Sequence, residues 1–112
     1  MVECPFCTRK PLAVLGGGYV VIQDMYPVTT GHVLVVDQRT HSMTAADIGP
    51  LLNAAGDYAA TLGGAFNIGI NWGVAAGQTI AHPHVHVIPR VAGDCEDPTG
   101  GVRNVIAGRG KY

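Results

Sequence analysis

Two short apolar runs, YVVIQD at 19–24 and HVLVVD at 32–37, stand out in the first third of the chain. Both have strand length and β-branched content, and the second is apolar enough to be buried on both faces. MYPVTTG between them reads as a turn-rich connection, and LGGG at 15–18 as a tight turn ahead of the first run. From Thr44 to Leu62 the period changes to that of a helix. Leu51, Ala55, Tyr58 and Leu62 recur at i, i+4, i+7 and i+11, and Gly63-Gly64 offers a stop. Pro50 sits awkwardly in a helix begun at Thr44, so the regular part is expected to start near Pro50, where proline suits a first turn. AFNIGINW at 65–72 then predicts a strand, GVAAGQT at 73–79 a loop, and the stretch at about 82–88 a further strand. The tail after Arg90 is rich in glycine and proline and predicts no element. Strands outnumber helices, and the helix lies between two hairpin-like pairs. The expected class is α+β.

The last strand carries the candidate chemistry. GQTIAHPHVHVIPR places His82, His84 and His86 on alternate positions. Successive side chains of a strand alternate faces, so all three would point one way while the intervening valines face the core. A single metal site made by all three is poorly suited, because the outer Cα atoms of such a strand lie roughly 13 Å apart. Two zinc–nitrogen bonds of ~2.1 Å and two side chains hardly close that gap. A solvated strand face is one remaining reading. The other is catalysis, with the central imidazole as nucleophile or general base, since imidazole keeps a useful neutral fraction near physiological pH. The adjoining GVAAGQT loop has small residues that would let backbone N–H groups approach an anionic, phosphate-like centre, with Gln78 and Thr79 as further donors.

Composition narrows the classes. The chain has 112 residues, 47% of them hydrophobic, and a net charge of -1. One compact domain over residues 1–112 is expected. Seven Lys+Arg against eight Asp+Glu leave no basic surplus for tracking a nucleic-acid backbone. No run approaches the ~18 apolar residues of a membrane span. MVECPFCTRK contains no apolar signal segment, and three cysteines do not suggest a disulfide framework. A reducing, cytoplasmic setting is therefore expected.

GQTIAHPHVHVIPR resembles the signature of the histidine triad (HIT) family of nucleotide hydrolases and transferases. DMYPVTTGHVLVV is similar to the family's upstream block, and FNIGINWGVAAGQT to the strand and loop before the triad. The likeness runs in the family's order from about residue 4 to residue 106. It implies an antiparallel sheet of about five strands with one main helix packed on it, and a reaction at the α-phosphate of a nucleotide. The matching nucleophile is His84, which would carry a covalent nucleotidyl intermediate that water hydrolyses. His86 and His32 match the flanking histidines that orient the site and bind phosphate. Asn71, Gln78 and Thr79 match positions that contact phosphate oxygens or the leaving group. Asp24 matches the carboxylate that accepts hydrogen bonds from the ribose hydroxyls, although an Asx turn before MYP is the alternative reading of that residue. Dinucleoside polyphosphates, adenosine the expected base, are the implied substrates. Phosphoramidase or nucleotidyl phosphorylase activity would use the same His84 chemistry. A non-catalytic, zinc-bearing nucleotide-binding module is the alternative from another class.

CPFC at 4–7 is either half a zinc site or a redox dithiol. A dithiol of that kind ordinarily follows a strand and opens a helix, and no strand pattern precedes Cys4. Many bacterial histidine triad proteins resemble this chain in an N-terminal segment, here residues 1–10, whose Cys-x-x-Cys pairs with two histidines. The matching residues are Cys4, Cys7, His41 and His82, which implies a structural zinc. Three features depart from the family pattern. His41 follows His32 by nine residues, one more than usual. The stretch from Cys7 to Asp24 is short, implying a truncated first hairpin. Pro83 sits inside the triad, where it lacks a ladder N–H, so the strand is expected to begin there or lie at an edge. Arg90 and Arg103 are read as solvated surface residues and Cys95 as a free thiol. The family's habit implies a homodimer whose sheets join.

Overall fold

The computed structural model describes residues 4–110. Of the expected segment 1–10 and domain 1–112, residues 1–3 and 111–112 lie outside the described range. The described chain runs α1 (Pro5–Thr8), β1 (Ala13–Val14), β2 (Tyr19–Gln23), β3 (Val33–Asp37), α2 (Ala45–Leu62), β4 (Ala65–Gly69) and β5 (His84–Arg90). Two 3-10 turns, Val74–Ala76 and Gly101–Val105, follow β4 and β5 respectively. The strands form one sheet of order β1-β2-β3-β5-β4, antiparallel throughout. The class is α+β, five strands with one main helix. Among the described residues, no helix is long and apolar enough to cross a membrane.

Strand parity explains how the sheet is used. Val21, Val33, Val35, Val85 and Val87 face α2 and pack with Leu51, Ala55 and Ala59. On the opposite face Val20, Ile22, Leu34 and Val36 pack with Phe6 of α1, and Cys4 and Ile80 lie against them. Every residue of β3 is buried, as its unbroken apolar run predicts. His84 and His86 share parity with Leu34 and Val36: His84 pairs across from Val36 and His86 from Leu34, while His82 precedes the strand. They therefore stand on the α1 face of the sheet, away from the main helix.

Several expected boundaries move, each for a local reason. Helix α2 starts at Ala45 and runs through Pro50 instead of beginning there. Thr44 caps it: the Thr44 hydroxyl oxygen accepts from the Asp47 N–H at 3.2 Å and donates to the Asp47 carboxylate at 2.7 Å. This side-chain cap outweighs proline's preference for the first turn. Ala59 rather than Leu62 completes the buried stripe, and Leu62 at the helix end is 52% exposed. Strand β4 ends at Gly69, short of the expected Trp72, where pairing with β5 stops opposite His86. Strand β5 begins at His84 because Pro83 offers no N–H to the ladder, and it extends past residue 88 to Arg90. The first hairpin is truncated as expected, since β1 has only 2 residues.

Candidate functional site

The histidine face of β5 opens onto a cleft of about 300 Å³. His84, His86, Asp24, Asn71, Gln78 and Thr79 line one part of it, so the resemblance-matched residues come together there. Phe6, Met25, Tyr26 and Ile80 supply an apolar part, and Arg9 a cation. His32 is buried behind His86, with the two rings 5.2 Å apart.

Hydrogen-bond partners fix which nitrogen of each ring carries the proton. Gly31, immediately before His32, has φ +87°, a left-handed conformation that favours glycine and turns the chain sharply into β3. That turn directs the Val28 N–H at His32 Nδ1, 3.0 Å away. A backbone amide can only donate, so Nδ1 accepts and neutral His32 carries its proton on Nε2. His32 Nε2 lies 2.9 Å from His86 Nδ1 and donates to it. Neutral His86 consequently holds its own proton on Nε2. His84 has the opposite arrangement. Its Nδ1 lies 2.8 Å from the His82 backbone oxygen, and a carbonyl can only accept. Nδ1–H donates, and His84 Nε2 is left as a bare lone pair. Side by side, with ring centroids 5.3 Å apart, the cleft holds a nucleophilic nitrogen and an N–H donor. Burial lowers the pKa of His84 against the opposing pull of its backbone hydrogen bond and Asp24. Burial and the neighbouring His84 and His32 likewise lower that of His86, with Asp24 opposing. Both therefore favour the neutral form.

Asp24 forms the Asx turn and also lines the cleft. One carboxylate oxygen accepts the Tyr26 N–H at 2.8 Å, closing an Asx turn, while the other lies 3.4 Å from His32 Nε2. Gln78 turns inward: its oxygen accepts the Gly73 N–H at 2.8 Å, and its amide donates to the Ile80 and Ala81 carbonyls at 3.0 and 3.3 Å. Both of its N–H bonds are thus used to close the 73–81 loop. Phe6, Arg9, Met25, Tyr26 and Ile80 line the cleft without a sequence signal that marks them as site residues. Phe6 lies inside CPFC, and its ring packs edge-on to His84 at 4.8 Å. Arg90 is engaged away from the cleft, donating to Asp94 at 2.7 Å and to Asn67 at 2.6 Å.

A second group gathers at the other end of β5. The ligand atoms of Cys4, Cys7, His41 and His82 all lie within 4.8 Å of one another. Cys7 Sγ is 3.0 Å from His41 Nε2, and His82 Nδ1 is 3.4 Å from Cys4 Sγ and 3.6 Å from Cys7 Sγ. Zinc bonds of ~2.3 Å to sulfur and ~2.1 Å to nitrogen, set tetrahedrally, place neighbouring ligand atoms roughly 3.5 Å apart. His82 Nε2 donates to the Asp37 carbonyl at 2.6 Å, leaving Nδ1 as a lone pair toward the thiols. Burial lowers the His82 pKa, which favours the neutral ligand form. The four residues fit zinc. His41 reaches the group despite its one-residue displacement from the family spacing. Asp24, His32 and His86 are similarly close to one another. They do not fit a metal, because the Val28 amide commits His32 Nε2 to carrying a proton.

A family model described as the HIT domain matches residues 16–93, well over half the chain. The chain belongs to the HIT family. It is 39% identical over 90 residues to an uncharacterized HIT-like protein of Mycobacterium tuberculosis, covering 70% of this chain and 60% of that protein. It is 36% identical over 80 residues to the asymmetrical bis(5'-nucleosyl)-tetraphosphatase of Schizosaccharomyces pombe, covering 63% of this chain and 44% of the enzyme. The chain thus spans less than two thirds of the length of each of these relatives. Among solved structures, a zinc-bound histidine triad family protein from Mycobacterium smegmatis superposes with a TM-score of 0.65 at 29% identity, over 82% of this chain and 78% of that one.

Proposed function

We propose that this HIT protein hydrolyses nucleoside phosphates or dinucleoside polyphosphates at the α-phosphate through a nucleotidyl intermediate on His84. The observation that carries the reading is the opposed proton placement in the cleft, with a lone pair on His84 Nε2 beside an N–H on His86 Nε2. Attack by Nε2 forms the N–P bond as the P–O bond to the leaving phosphate or nucleotide breaks, its electron pair departing with that oxygen. The resulting imidazolium keeps its Nδ1–H on the His82 carbonyl, which stabilises the charge. Water then forms a new P–O bond, loses a proton and returns the N–P pair to His84. His86, together with Asn71 and Thr79, faces the phosphate oxygens. Asp24 takes the ribose hydroxyls, and the apolar part around Phe6, Tyr26 and Ile80 receives the base. Gln78 acts by holding the loop in shape. Names of relatives support a dinucleoside polyphosphate as substrate.

Zinc held by Cys4, Cys7, His41 and His82 is read as structural, because four protein ligands leave no open coordination position for substrate. It would pin α1, and with it Phe6, against the sheet. The chain is read as one catalytic domain that works in the cytoplasm, as a homodimer joined along the outer strand β4. The half-buried pattern of β4, with Ile68 36% exposed, is consistent with a covering partner.

The test is direct. His84→Ala should abolish turnover of diadenosine polyphosphates while leaving nucleotide binding measurable, and the wild type quenched without acid should yield a nucleotidyl-histidine. Alanine-variant rates near those of the wild type would overturn the mechanism.

A further inference from the structure

Asp37 closes β3 with a carboxylate that is wholly buried, and a buried charge needs a partner. The partner is Arg39, two residues on. Asp37 Oδ1 accepts the Arg39 backbone N–H at 2.9 Å, closing an Asx turn, and the Arg39 Nε–H at 3.0 Å. Oδ2 accepts from Arg39 Nη2 at 3.0 Å, which completes a two-pronged fork. Nη2 also donates to the Tyr19 hydroxyl at 2.7 Å, and the guanidinium carbon lies 4.9 Å from the Tyr19 ring centroid. The Arg39 stem crosses the backbone of Gly18, where a Cβ would come within 2.7 Å of Arg39 Cγ. Gly18 has φ +90°, and its carbonyl accepts the Gln38 N–H at 2.8 Å. Residues 37, 38 and 39 are thus each tied down, either to one another or to the turn ahead of β2.

Both histidines of the Cys4, Cys7, His41 and His82 group meet this arrangement. The Asp37 carbonyl accepts the His82 Nε2–H at 2.6 Å, and the Asp37 N–H donates to the Pro83 carbonyl at 3.4 Å. A carbonyl on the far nitrogen fixes both the tautomer and the orientation of a ligand imidazole. His41 lies two residues beyond Arg39. Between them Thr40 closes a second small turn, its hydroxyl oxygen accepting the Ser42 N–H at 3.0 Å. His41 is therefore held between two turns closed by side chains, and its ring lies 4.3 Å from that of His82. The residue added between His32 and His41 lengthens this connection. A free loop loses conformational entropy when its histidine is captured by a metal. A loop already fixed in the bound shape avoids most of that loss.

We infer that Asp37 and Arg39 are positioning residues for the zinc group. Asp37 orients His82 through its carbonyl and, through its carboxylate on Arg39, sets the loop that carries His41 to the metal. The fork absorbs the additional residue that would otherwise leave His41 on a slack connection. Neither residue touches the metal, and Tyr19 and Gly18 form the seat on which Arg39 rests. This role rests on the zinc reading above.

The test measures the zinc affinity of the whole chain by competition with a chromogenic chelator. Arg39→Ala would strand a buried carboxylate and weaken the fold on that ground alone, so lysine is the informative change. Arg39→Lys keeps a cation opposite Asp37 and removes the fork. It should weaken zinc about tenfold, the low end for partners that orient metal ligands. In a His41→Ala background the same change should weaken zinc less than about twofold, because the ligand it positions is gone. An ion pair that only stabilised the fold would weaken zinc equally in both backgrounds. Equal losses therefore overturn the inference, and so does wild-type affinity in Arg39→Lys. If Arg39→Lys does not fold, Tyr19→Phe decides, since it keeps the ring and the Asp37–Arg39 pair and removes only the hydroxyl that holds Nη2. Its zinc affinity should fall about twofold or more while His41 is present and stay unchanged once His41 is alanine. Wild-type affinity in that variant, or equal losses in both backgrounds, would then overturn the role. A wild-type protein that binds no zinc would overturn the zinc reading itself, and this inference with it.

Discussion

His84 and His82 are joined by a 2.8 Å hydrogen bond from the His84 ring to the His82 backbone carbonyl. The same His82 turns its side chain the other way, toward Cys4 and Cys7. One residue thus contributes its main chain to the candidate nucleophile and its imidazole to the candidate zinc group. Pro83, between them, fixes the strand start that lets both happen. The fold and the cleft share this joint.

Zinc should therefore matter to stability first. One zinc per chain is expected by elemental analysis, and replacing Cys4 and Cys7 together with serine should remove it and lower the Tm. Metal that binds only the native state adds its binding free energy to folding. His41→Ala is the sharpest single test, because His41 is the ligand displaced from the usual spacing. It should weaken zinc binding by at least about tenfold if His41 is a true ligand. Turnover per folded molecule should survive in part, since no ligand side chain of this group lines the cleft. Zinc-free native protein of unchanged Tm would remove the structural role.

Much of this was legible in the sequence because it follows from strand periodicity. Alternation placed His84 and His86 on one face, whereas His82 lies ahead of Pro83, outside β5, and joins the cysteines. The unbroken apolar run at 33–37 matches a β3 in the middle of the sheet. The features that escaped depend on contacts between distant segments. Nothing local in VTTGH reveals that the Val28 amide will choose His32 Nδ1. The inward turn of Gln78 depends on how the 73–81 loop closes. Phe6 became a wall of the cleft only because α1 folds back over Ile22 and Leu34. At the start of α2 two local signals conflicted. Thr44 with Asp47 makes a side-chain cap that starts the helix ahead of Pro50 despite proline's preference for a first turn.

That conflict yields its own test. Pro50 is the sixth residue of α2 and lacks the N–H that would bond to the Ala46 carbonyl. Pro50→Ala should stabilise the protein by about 1 kcal/mol or more, a part of the ~3 kcal/mol that proline costs in an ideal helix interior. Thr44→Ala should have the opposite sign, costing roughly 0.5–2 kcal/mol through loss of the cap. Denaturant midpoints of both variants check this. A helix that truly began at Pro50 would leave Thr44→Ala without effect.

Acid should destabilise the zinc-free protein through the same histidines. His82, His84 and His86 have pKa values lowered from 6.5, burial being the largest cause for each. The unfolded chain binds these protons at a higher pH than the native state does. Their contribution is therefore fully present above 6.5 and is lost as pH falls through the lower native values. Denaturation midpoints should drop between about pH 7.5 and about pH 5.5, more than in a variant with His84 replaced by glutamine. A midpoint that rises on acidification would mean that the native state holds these rings charged.

Phe6 lies between the candidate zinc group and the candidate nucleophile, and its substitution tests whether it links them. The ring lies between Cys4 and Cys7 in sequence, is 7% exposed, and meets His84 edge-on at 4.8 Å with 73° between planes. It also packs with Val20, Ile22, Leu34 and Val36, so it closes the α1 side of the core. Phe6→Ala should cost about 3 kcal/mol, the low end for removing a buried aromatic, because the short α1 can partly collapse onto the gap. The same change opens the His84 ring to water and lets it leave the plane in which Nδ1 reaches the His82 carbonyl. Turnover should then fall about tenfold even in fully folded, zinc-loaded protein, as misplacing a reacting group costs rate. Phe6→Leu keeps most of the buried volume and should recover the stability better than the rate, because leucine fills the core without presenting a ring edge to His84. Equal recovery of both would reduce Phe6 to a packing residue. Steady-state kinetics and thermal melts on the two variants separate these outcomes.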